Sequence, residues 1–123
     1  MLRILYLEDS EKDVELVRDV LSEYELHWAS SKALFVTLLD KHPIDVVLCD
    51  SGGPGFDGKE AFALVRSLQP QAVFIFVTGH SDGPVFDALN QSGADAVLSK
   101  NHLSLIGETI ARVFSARKRD SNL

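Results

Sequence analysis

Residues Val46 to Gly58 read VVLCDSGGPGFDG: three apolar side chains and a cysteine run straight into Asp50, and the chain then collapses into glycine and proline. A strand with no polar face is one covered on both sides, as in a parallel sheet with helices above and below it. Comparable runs lie on either side: RILYL (Arg3 to Leu7), AVFIFVT (Ala72 to Thr78) and AVLS (Ala96 to Ser99). LHWA (Leu26 to Ala29) is shorter and more polar, which suits a sheet edge.

Between these runs the apolar period changes to that of helices. Val14, Val17, Val20, Leu21 and Tyr24 recur at helical spacing behind Ser10, a capping residue with Asp13 at the third position. Leu34, Phe35, Leu38 and Leu39 predict a second helix, and Ala61, Phe62, Leu64, Val65 and Leu68 a third that must stop before Pro70. A weaker fourth covers about 85–91 and ends at Gly93. Leu103, Ile106, Ile110, Val113 and Phe114 mark the fifth. The pattern is (βα) repeated five times with short connections, hence a doubly wound parallel sheet with right-handed crossovers.

With 123 residues, 46% of them hydrophobic, the chain suits one domain with a real core. A net charge of −6 and a pI near 5.1 argue against a surface that coats nucleic acid. One cysteine, Cys49, permits no intramolecular disulfide and no cysteine metal cluster; on a buried strand it reads as a small core hydrophobe. The four histidines, His27, His42, His80 and His102, lack ligand spacing and are expected on surfaces. No apolar run approaches the roughly 18 to 20 residues of a membrane span, and MLRILYLEDS turns acidic too soon for a secretory signal. A cytoplasmic protein without membrane insertion is the expectation.

Open α/β sheets bind ligands beyond the carboxyl ends of their strands. Those positions carry Glu8 and Asp9, Asp50, Thr78 and Lys100. If the first and third strands are neighbours, three carboxylates converge and need a cation; an all-oxygen set favours Mg²⁺, or Mn²⁺. Asp50 on a rigid strand can act as a nucleophile, while Ser51, Gly52, Gly53 and Gly55 leave room for a phosphoryl group to approach. Thr78 and Lys100 supply a hydrogen-bond donor and a positive charge.

From about Leu2 to Phe114 the chain resembles the receiver domain of two-component response regulators. The resemblance rests on the acidic pair in LYLEDS, the D-x-x-x-P-x-x-D-G pattern in DSGGPGFDG, the hydroxyl in FVTGH and the lysine of GADAVLSK. It implies a flavodoxin-like five-stranded sheet of order 2-1-3-4-5, with the receiver over 1–116 and a tail or linker start over 117–123. It further implies that Asp50 accepts a phosphoryl group from a histidine kinase or histidine phosphotransfer protein. Glu8, Asp9, Asp50 and the backbone carbonyl of Gly52 would hold Mg²⁺, with Thr78 and Lys100 on the phosphoryl group. A downstream output domain or protein, and homodimerisation, are the partners it suggests. Catalysis would be limited to self-phosphorylation and self-dephosphorylation.

Departures from the family pattern sharpen these expectations. Asn101 replaces the proline that usually follows the lysine across a cis bond, so the bond here is either trans or held cis by the site. Val97 replaces the switching aromatic, which shifts the expected readout to backbone movement from Gly79 to Pro84 and the fourth helix. Gly52 and His80 flank the expected path of the hydrolytic water. A pseudo-receiver that binds proteins without being phosphorylated is the alternative. A haloacid dehalogenase-type phosphatase needs a second acid where Gly52 stands, and a flavodoxin needs a Ser/Thr-rich loop after the first strand.

Overall fold

Each strand alternates its side chains between two faces, so a continuous apolar run must meet a helix layer on both. In the computed structural model, which describes residues 1–52 and 57–121 with side chains through Arg117, this is what happens. The elements are β1 (Arg3–Leu7), α1 (Glu11–Val20), β2 (Glu25–Ala29), α2 (Lys32–Lys41), β3 (Val46–Asp50) and α3 (Gly58–Leu68). They continue with β4 (Val73–Thr78), α4 (Gly83–Asn90), β5 (Ala96–Ser99), a 3-10 turn (Lys100–Leu105) and α5 (Ile106–Ser121). The five strands are parallel in the order β2-β1-β3-β4-β5. This is the expected flavodoxin-like arrangement, with LHWA on the edge.

One face of the sheet presents Ile4, Tyr6, Leu48, Ile75 and Val77 to Val14 and Val17 of α1 and to Ile106 and Ile110 of α5. The other presents Leu5, Leu7, Val47, Phe74 and Phe76 to Phe35 and Leu39 of α2 and to Ala61 and Val65 of α3. Each large apolar side chain fully buried in this way contributes about 1.5–3 kcal/mol. Gly58 opens α3 because nothing larger fits: a Cβ there would lie 2.9 Å from the Phe76 ring.

The helix ends depart from the periodic reading. α1 stops at Val20, which is exposed, and Leu21 caps it from a fully buried position. Tyr24 lies beyond the helix. Leu34 and Leu68 also face outward, since the helix stripe is narrower than the run of apolar residues. α4 starts at Gly83, ahead of the expected Val85, and none of its residues is fully buried. It ends before Gly93, whose φ of 96° is left-handed backbone that favours glycine. Leu103 is buried from the 3-10 turn rather than from α5, and α5 continues helically to Ser121, beyond Phe114.

Candidate functional site

Strand register assembles the site. Leu7 pairs with Cys49, so Glu8 falls level with Asp50; Asp50 pairs with Val77, so Thr78 is one step beyond; Thr78 pairs with Ser99, and Lys100 follows. The chain leaves β1 for β2 on one side and reaches β3 on the other, so the strand order reverses between β1 and β3, where ligands of such sheets sit. Glu8, Asp9 and Asp50 each bring a carboxylate oxygen within 4.8 Å of the others, a cluster suited to a cation.

Glu8 is wholly buried, but its carboxylate is well partnered. It accepts from the Tyr6 hydroxyl (3.2 Å) and the N–H groups of Asp9 (3.0 Å) and Ser10 (3.4 Å), and lies 2.6 Å from Lys100 Nζ. Burial pushes its pKa up, Lys100 pulls it back and Asp50 adds to the rise, leaving it at about 7. For Lys100, burial works against the charge, but bonds to Asp13 and Glu8 and the field of Asp50 outweigh it and raise the pKa. Asp9 is exposed at the mouth, and Asp50 keeps 14% of its side chain open, enough for a small group to reach it. Lys100 Nζ stands 3.8 Å from Asp50 Oδ2.

Thr78 is buried at the end of β4. Its Oγ1 accepts from the His80 N–H (3.2 Å) and lies 3.1 Å from Ser51 Oγ. The His80 side chain is exposed, so it meets the site through its backbone. Gly52 is exposed and donates its N–H to Asp50 Oδ1 at 3.3 Å. Gly53 and Gly55, expected to widen this loop, lie outside the described residues. Among the described residues no peptide bond is cis, so Lys100–Asn101 is trans. Val97 packs partly buried against the core face that carries Phe74 and Phe76. Burial, and then the charges of Asp50 and Glu8, push the Cys49 thiol's pKa up, in keeping with a core hydrophobe. His27 and His42 are half-buried rather than fully exposed, their rings stacked at 5.0 Å.

Asp13 is the site residue that sequence reasoning missed. It reads as the third position of a capping box, and its N–H is indeed capped by Ser10 Oγ at 3.3 Å. Its carboxylate, however, points to Lys100 Nζ at 2.8 Å, and Glu8 takes the Ser10 N–H that a capping box would satisfy. Tyr6 and Trp28 were likewise legible only as strand residues. The Trp28 indole donates to the Glu8 carbonyl at 2.6 Å.

The family model of the response regulator receiver domain matches residues 4–109. The chain belongs to this family. A relative of the receiver is the hydrogenase transcriptional regulatory protein HoxA of Cupriavidus necator, 29% identical over 92 residues; the match spans 73% of this chain but 19% of that regulator. A CheY-like receiver domain protein from Methanospirillum hungatei superposes with a TM-score of 0.84 at 21% identity, covering 98% of both chains. A response regulator from Burkholderia pseudomallei, solved with a phosphorylated aspartic acid, calcium ion and citrate, superposes at 0.78 with 19% identity over 98% of this chain and 73% of that one. The receiver also has no helix, among the described residues, long and apolar enough to cross a membrane.

Proposed function

We propose that this receiver takes a phosphoryl group on Asp50 from a phosphohistidine of a histidine kinase or phosphotransfer protein, and signals by the conformational change that follows. The observation that carries this reading is the Asp50 carboxylate itself: on the end of a central strand, partly open, beside the acidic cluster and 3.8 Å from a lysine. Transfer forms a bond between an Asp50 oxygen and phosphorus; the P–N bond to the donor imidazole breaks and its electron pair returns to nitrogen. Such transfers need alignment and charge stabilisation more than covalent help.

The donor set of three carboxylates suits a hard cation. Glu8, Asp9, Asp50 and the Gly52 carbonyl would hold Mg²⁺ or Mn²⁺, which when bound supplies counter-charge for the phosphoryl oxygens. Lys100 adds a positive charge, and Thr78, whose oxygen already accepts a bond from the His80 N–H, has its own proton to donate. With Val97 in place of an aromatic, the readout runs through the Gly79 to Pro84 backbone and α4, which lacks fully buried residues. Water then releases phosphate past His80. The chain turns over no other substrate, works in the cytoplasm, and passes its state to an output domain or protein. The phosphorylated aspartic acid of the Burkholderia pseudomallei regulator, on the same fold, is consistent with this chemistry.

Acetyl phosphate with Mg²⁺ should add one phosphoryl group per chain, read by intact mass, and Asp50→Asn should remove the labelling. Labelling of Asp50→Asn at the wild-type level would refute the site. An unlabelled wild type would favour a protein-binding pseudo-receiver.

A further inference from the structure

The Lys100 ammonium is shared unequally. It lies 2.6 Å from Glu8 and 2.8 Å from Asp13, but 3.8 Å from Asp50. Asp13 projects from the first turn of α1, and 23% of its side chain is exposed, so water screens this pair only in part. With Ser10 capping through its hydroxyl and Glu8 holding the Ser10 N–H, the Asp13 carboxylate has no capping task and is turned into the site.

We propose that Asp13 is a positioning residue that holds the Lys100 ammonium away from Asp50 until Asp50 carries a phosphoryl group. This rests on the reading of Asp50 as phosphoacceptor. An ammonium bonded to both Glu8 and Asp50 neutralises two of the carboxylates that a cation needs, and occupies the oxygen that must attack phosphorus. The Asp13 carboxylate, bonded to Lys100 at 2.8 Å, draws the ammonium to itself and leaves Asp50 free. Once phosphorylated, Asp50 presents three strong acceptor oxygens and nearly two negative charges, which outcompete one carboxylate for the ammonium. Lys100 then leaves the first turn of α1, so the same hand-over loosens the tie between α1 and the end of β5.

Mn²⁺ titration, followed by loss of the free-ion electron paramagnetic resonance signal, tests the idea without phosphorylation. Asp13→Asn should weaken binding about tenfold, on the scale of losing an outer partner of a metal site. In a Lys100→Met background the same change should cost no more than about twofold, because the effect acts through the lysine. Asp13→Glu should restore most of the loss. Equal losses in both backgrounds would reduce Asp13 to a bulk negative charge and overturn the proposal. Should Lys100→Met fail to fold, the crystal structure of metal-free Asp13→Asn decides instead: Lys100 Nζ should move to about 2.8 Å from Asp50. A lysine that stays where it is would overturn the proposal. Wild-type protein that binds Mn²⁺ with these dependences yet is never labelled by acetyl phosphate would count against the phosphoacceptor reading and, with it, the hand-over to the phosphoryl group.

Discussion

The two ends of the sheet handle charge in opposite ways. At the amino end, Asp95 sits between Arg66 (2.9 Å) and Arg117 (3.2 Å) and accepts the Phe74 N–H at 2.8 Å. Nearby, Arg3 pairs with Glu25, which also bonds His27 at 2.9 Å, and the Arg3 N–H donates to Asp45 at 2.8 Å. Each of these three carboxylates has a cation or an N–H of its own. At the carboxyl end Glu8, Asp13 and Asp50 gather around Lys100, with Asp9 beside Glu8 and Asp50. Charge that is cancelled locally ties elements together, whereas charge left in surplus asks for a ligand.

The largest effect expected from breaking this contrast is at Asp95. Asp95→Ala removes the carboxylate shared by Arg66, Arg117 and a strand N–H, while both arginines keep backbone carbonyl acceptors, and should cost about 2 kcal/mol in urea unfolding, as for other hydrogen bonds to a charged group. Mn²⁺ affinity should stay as in wild type. A loss below about 1 kcal/mol would mean that the amino end is held by packing alone.

At the other end, removing charge should help the metal-free protein. Glu8 has its pKa raised from 4.5 to about 7 in the fold, so the stability it contributes is present below pH 4.5 and is lost as pH rises through about 7. The thermal midpoint of metal-free wild type should therefore fall by several degrees across that window, since about 1 kcal/mol is already roughly 5 °C in a domain of this size. Glu8→Gln should flatten the decline. An equally steep decline in the variant would move its source elsewhere.

The smallest effect belongs to Glu25, on the solvated rim of the amino end. Hydrogen bonds from His27 and then Arg3 lower its pKa from 4.5 to about 2, so its contribution is present above pH 4.5 and lost as pH falls through about 2. Glu25→Gln should lower the thermal midpoint slightly at pH 7 and leave it unchanged near pH 2, because exposed ion pairs contribute little. A gap between the two proteins that persists at pH 2 would show that the side chain acts by packing rather than by charge.

Most of the fold was legible in the sequence because strand and helix periods are local. RILYL and VVLCD could be read as doubly covered strands, and Ser10 as a helix cap, from a few neighbouring residues each. The helix ends were less legible. Val20, Leu34 and Leu68 continue an apolar pattern past the surface that buries it, and nothing in the pattern says where that surface stops.

For the site, Glu8, Asp9, Asp50, Thr78 and Lys100 could be placed at strand ends because each follows or closes an apolar run. How they share charge is set by the folded arrangement. Asp13 and Lys100 are 87 positions apart, and whether they touch depends on the register of β1, β3, β4 and β5 and on the angle at which α1 leaves the sheet. About one ångström, between 2.8 Å to Asp13 and 3.8 Å to Asp50, separates a carboxylate bonded to the ammonium from one merely beside it. Local composition holds no record of such differences, because they are set by packing across the whole sheet.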